Sequence, residues 1–86
     1  MLNNMAAKSI REAIKTNGYK HCHIARKIGL PATKFSELLN GGIFSREVLE
    51  DLAEVLHLDQ KKLLIENAEY KVERALQELN FLKNSN

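Results

Sequence analysis

His21, Cys22 and His23 are three consecutive side chains of the kinds that ligate transition metals or serve as nucleophile and base. Their adjacency argues against both uses. Successive side chains on a helix project about 100° apart, so three in a row cannot converge on one ion. Cys22 as a nucleophile needs an activated thiolate and an oriented base, and no third group in the sequence supplies one. The expectation is no metal, no cofactor and no enzymatic activity. Cys22 is also the only cysteine, so no intrachain disulfide forms, which fits a reducing compartment. A second stretch carries more. Behind Pro31, the residues Ala32, Thr33, Lys34, Ser36 and Glu37 interleave with Phe35 and Leu38, so a helix there turns a short polar edge outward while its apolar residues point inward.

The elements that must position that edge follow from the rest of the chain. Eighty-six residues, 44% hydrophobic and 28% charged, suit one small globular domain, neither disordered nor membrane-embedded. Leu63-Leu64-Ile65 is as long as any apolar run, far short of the roughly 20 residues that span a bilayer. Met1-Leu2-Asn3-Asn4 lacks the basic-then-apolar order of a secretory signal, so the expected location is cytoplasmic. The net charge of +2 is too small to argue for a polyanionic partner, but it is unevenly spread. Residues 1–40 carry seven basic and two acidic side chains, residues 41–86 six and nine, and such asymmetry points toward nucleic acid at the N-terminal half.

With one proline, four glycines and no apolar/polar alternation of any length, the chain reads as all-α, with five helices. The first runs from about Asn4 to Asn17, burying Ile10 and Ile14, with Gly18 just past its end. The second spans roughly His21 to Ile28 with Ile24, Ala25 and Ile28 on one face, and Gly29 is where the chain must turn. The third runs from about Pro31 to Leu39, since proline is tolerated in a first helical turn, and Asn40-Gly41-Gly42 ends it. Phe44 is expected in the core. Ser45 caps a fourth helix from Arg46 to about His57, striped by Leu49, Leu52, Ala53 and Leu56, and Asp59 caps a fifth. Arg26 and Lys27, and the acidic Glu47, Glu50, Asp51 and Glu54, read as solvated surface.

From Gln60 no breaker occurs before Asn84, and Ile65, Ala68, Val72, Ala75, Leu79 and Leu82 recur at the a and d positions of a heptad. Glu78 at g and Lys83 at the following e bring opposite charges together across a parallel partner. Residues 1–64 thus read as a globular domain and 65–86 as a dimerisation helix. The alternative is a single helix that lays this stripe on its own domain. Tyr70 and Leu76 lie off the seam, and docking on a partner's globular domain accounts for them.

Residues 21–40 form a unit of two short helices joined by a turn of three or four residues. Ala25 gives the small side chain that close helix approach needs, and Gly29 the backbone freedom. Here the sequence resembles the Cro and lambda-repressor type of helix-turn-helix domain, often called the xenobiotic-response-element family, over residues 8 to about 64. The resemblance rests on His21-Cys22-His23-Ile24-Ala25-Arg26-Lys27-Ile28-Gly29-Leu30, then Pro31-Ala32-Thr33-Lys34-Phe35-Ser36-Glu37-Leu38-Leu39-Asn40-Gly41, and on Val48 through Asp59 for the fourth helix and its turn.

The resemblance implies double-stranded DNA as partner, with the third helix in the major groove and the second across the phosphate backbone. By side-chain chemistry Ala32 or the Thr33 methyl suits a thymine methyl, Lys34 a guanine, and Glu37 a cytosine amino group; Lys34 suits a phosphate equally well. Phosphate contacts are expected from Lys20 and His21 at the start of the second helix, and from Ser36, Asn40 and Arg46. The chain departs from the family at His21, where glutamine is common, and after Gly41, where Gly42, Ile43 and Phe44 carry no charge. The implied protein is a homodimeric repressor of phage or mobile-element type, reading a palindromic operator with half-sites about 34 Å apart. An antitoxin or antirepressor, whose acidic C-terminal half holds another protein, is the other reading.

Overall fold

A computed structural model describes residues 3–84, and all its regular structure is helical: α1 (Met5–Thr16), α2 (His21–Lys27), α3 (Ala32–Leu39), α4 (Arg46–Leu56) and α5 (Gln60–Asn84). The expected first four residues are only half described, since Met1 and Leu2 lie outside that range. Helix ends fall within a residue of the sequence expectation, and the differences have local causes. Asn4 caps α1, its side chain accepting from the Ala6 N–H at 3.0 Å. Pro31, expected as the first helical residue, is instead the N-cap of α3, with φ −61 and ψ 145. That extended ψ swings the chain into the helix, and it places Ala32 first.

The sharp bend between α2 and α3 is made at Gly29. Its φ of +75 lets the Leu30 N–H reach the Ala25 carbonyl at 2.9 Å and its own N–H reach that of Arg26 at 3.2 Å, the paired bonds of a Schellman closure. α4 ends similarly but without glycine: His57 holds φ 56, and Leu58 N–H donates to the Ala53 carbonyl at 2.9 Å.

The core lies where α1, α3, α4 and the start of α5 meet, around Ile10, Ile14, Phe35, Leu49, Leu52 and Leu63, with Ile24 and Ala25 closing it from α2. Phe44 is buried, as the sequence suggests. α5 rests on this core through Leu63, Asn67 and Tyr70, a line that continues to Arg74. The heptad stripe is a different line, turned away by roughly 140° at 100° per residue. Ile65, Ala68, Val72, Ala75, Leu79 and Leu82 are all exposed, so the chain does not lay that stripe on its own domain. Tyr70 is the correction here. It closes on Gly41 of its own chain, so no partner domain is needed to explain it. Leu76 stays exposed.

α5 is continuous through residue 64, and its ties to the globule run as far as Arg74. Every residue from Lys71 to Asn84 is exposed, and this overhang contributes to the long dimension of a 47 × 25 × 21 Å particle. No helix among the described residues is long and apolar enough to cross a membrane.

Candidate nucleic-acid interface

α3 is eight residues long and is anchored by its inner face. Phe35 is wholly buried, and Leu38 and Leu39 nearly so. At 100° per residue that leaves Thr33, Glu37 and Asn40 along the middle of the opposite face, with Ser36 and Lys34 to either side and Ala32 at its margin, and all six are exposed. The residues expected to read base edges, Ala32, Thr33, Lys34 and Glu37, therefore share one solvent-facing surface. Asn40 Nδ2 lies 3.4 Å from Ser36 Oγ, which joins two of the expected phosphate-contacting residues along its C-terminal end.

The helix starts differ in a way that bears on anions. α1, α4 and α5 begin with side-chain caps: Asn4, Ser45 (Val48 N–H at 3.3 Å) and Asp59 (Lys62 N–H at 3.3 Å). α2 and α3 begin at Lys20 and Pro31, with no side-chain cap on either. The His23 N–H turns back to the Lys20 carbonyl at 3.1 Å, and the other first-turn N–H groups are left for solvent or for an anionic oxygen. Lys20 and His21, at the start of α2, are both exposed. The His21 ring meets Phe35 edge-on, with centroids 6.2 Å apart and an interplanar angle of 77°. A ring contact thus joins the start of α2 to the buried face of α3. Arg46 pairs with Glu50 at 2.9 Å, one turn along α4. A pair this exposed is weak, so it does not lock the guanidinium away.

The far end of α3 is fixed by residues to which sequence reasoning gave no role there. Arg11 of α1 donates to the Leu39 carbonyl. Tyr70 Oη donates to the Gly41 carbonyl at 2.7 Å, and Arg74 Nη1 to the same oxygen at 3.1 Å. Two guanidinium groups thus flank the negative end of the α3 dipole, a favourable placement. Behind them lies a buried amide pair. Asn67 Oδ1 accepts from Asn4 Nδ2 and from the Phe44 N–H, both at 3.1 Å, while Asn67 Nδ2 donates to the Phe44 carbonyl at 2.9 Å. A signal existed: Asn67 is the polar residue in the line Leu63, Asn67, Tyr70, and buried amides need partners.

Gly42 has no room for a side chain, because a Cβ there would lie 2.8 Å from Leu38 Cα. At Gly42 the lack of charge is therefore built into the packing. His21, Cys22 and His23 are exposed, and no cluster of three or more His, Cys, Asp or Glu suited to a metal ion occurs among the described residues. Comparison with family models, with curated proteins and with solved structures returns no match for this chain.

Proposed function

We propose that the chain is a sequence-specific DNA-binding regulator of transcription, a homodimeric repressor in which α2 and α3 act as a helix-turn-helix and α3 enters the major groove. The observation that carries the reading is the exposed edge Ala32, Thr33, Lys34, Ser36 and Glu37 on a helix whose other face is buried. A helix held in this way presents donors and acceptors to base edges without rearranging. The uncapped starts of α2 and α3 add phosphate-binding N–H groups beside the basic Lys20 and Lys34.

The homodimer rests on the bare stripe of α5, where Val72 is 58% and Leu82 62% exposed. Apolar side chains repeating on one line of a projecting helix suit a second copy of that helix. The same stripe favours a second reading, an antitoxin or antirepressor whose α5 grips another protein.

Selection of bound fragments from the source genome, followed by gel-shift titration, separates the two. The regulator selects a palindrome with half-sites about 34 Å apart and loses affinity steeply with salt. Failure to retain any fragment above background rules it out. Glu37→Ala changes the preferred base at one operator position, and uniform weakening on all sequences would remove Glu37 from base readout.

A further inference from the structure

The α3–α4 connection and the overhang of α5 enclose an open groove at the exit of α3. Its walls include Gly41 and Ile43 on one side and Tyr70, Lys71, Arg74 and Phe81 on the other. Arg74 is the fixed point of that groove. One Nη1 bond ties it to the Gly41 carbonyl, and its Cζ stands 5.8 Å from the Tyr70 ring centroid, so the guanidinium is held in place from two directions. Among the described residues no carboxylate lies within ion-pair distance of it, although Glu78 lines the groove farther out along α5.

We propose that Arg74, with Lys71 beside it, contacts a backbone phosphate of the bound duplex and so extends the interface from α3 onto α5. The inference rests on the DNA-binding reading above. Its grounds are placement and spare bonding capacity. Gly41, which Arg74 touches, directly follows Asn40, and Asn40 lies on the exposed line of α3 with Thr33 and Glu37. A guanidinium has five N–H donors, and the Gly41 carbonyl occupies one edge of it. The remaining donors are available to an oxyanion. Gly42 cannot supply a cation at this exit, since any side chain there meets Leu38. The cation comes instead from a helix that crosses behind the connection.

A purely structural Arg74, serving only to cap α3, predicts something different, and salt dependence separates the two. The full-length chain is titrated with a mixed-sequence duplex between about 50 and 200 mM salt. Arg74→Gln, which keeps a donor for Gly41 but not the charge, weakens binding roughly tenfold and flattens the log-log salt slope by about 0.9. Arg74→Lys keeps the slope. Lys71→Gln, at an exposed site with no intrachain bond to lose, flattens the slope as well and serves if Arg74→Gln fails to fold. If both glutamine variants keep the wild-type slope while the wild type binds, the proposal is overturned and the DNA-binding reading stands. Wild-type protein that binds no duplex overturns both.

Discussion

Tyr70 Oη donates 2.7 Å to the carbonyl of Gly41, 29 residues earlier in the chain. The bond ties the middle of α5 to the point where α3 ends, so α3 and the projecting helix are parts of one assembly. Tyr70→Phe keeps the buried ring and removes only the hydroxyl. Arg74 still serves the same carbonyl, which limits the loss. Unfolding in urea should show about 1 kcal/mol less stability, and amide exchange at Gly42 should quicken because its bond to Leu38 lies within the loosened exit. A shift of several kcal/mol would mean that Tyr70 acts through packing.

Asn67 is a more severe case. Its side chain makes three hydrogen bonds in the interior, to Asn4 and to both backbone groups of Phe44. Asn67→Ala strands the Phe44 N–H and C=O without water, and a stranded buried group costs about 1–3 kcal/mol. The expected loss is therefore about 3 kcal/mol or more, a large share of the total for a domain of this size. Urea midpoints measure it, and Glu73→Gln, exposed and off both lines of α5, is the neutral control.

Helix positions and the core were legible in the sequence because both depend on short-range rules: glycine at a left-handed position, an Asn, Ser or Asp cap, and apolar residues at helical spacing. Gly29, Ser45 and the Leu49-Leu52-Leu56 stripe are all found as read. The outward face of α3 was legible for the same reason. What the sequence did not show was which of two lines on α5 meets the domain. The heptad stripe is the more apolar and takes the eye, yet Leu63, Asn67 and Tyr70 make the contact. The partners of Asn67, Tyr70 and Arg11 lie 23 to 63 residues away, and no local pattern encodes such pairings.

Gly42 and Gly18 separate steric crowding from backbone strain. Gly18 has φ +71 with open space around it, so Gly18→Ala meets only the left-handed penalty of about 1 kcal/mol. A Cβ at Gly42 would lie 2.8 Å from Leu38 Cα and 3.2 Å from the Glu37 carbonyl, and backbone atoms cannot step aside. Gly42→Ala should cost about 1–3 kcal/mol by displacing the end of α3. It should also weaken DNA binding, which Gly18→Ala should not. Parallel urea and gel-shift titrations of the two variants make the comparison, and equal binding losses would break the link between the α3 exit and the interface.

Leu79 tests the role of the overhang. The helix from Lys71 to Asn84 touches solvent at every residue, and a segment of that length is marginal as an isolated helix in water. Pairing of two such segments along Val72, Ala75 and Leu79 removes apolar surface from water and gives the helix a reason to persist. Leu79→Asp places a charge in that seam and faces away from the globule, so the domain should keep its fold while the overhang loses both partner and helicity. Sedimentation should report a monomer where the wild type is a dimer, and circular dichroism a loss of helix confined to about one turn or more of α5. Binding to a two-site duplex should fall by about 100-fold or more, because the second half-site is no longer engaged intramolecularly, while binding to a single half-site changes little. A Leu79→Asp protein that still sediments as a dimer would move the interface off the heptad stripe. A monomer that loses nothing on the two-site duplex would show that the two recognition surfaces act independently.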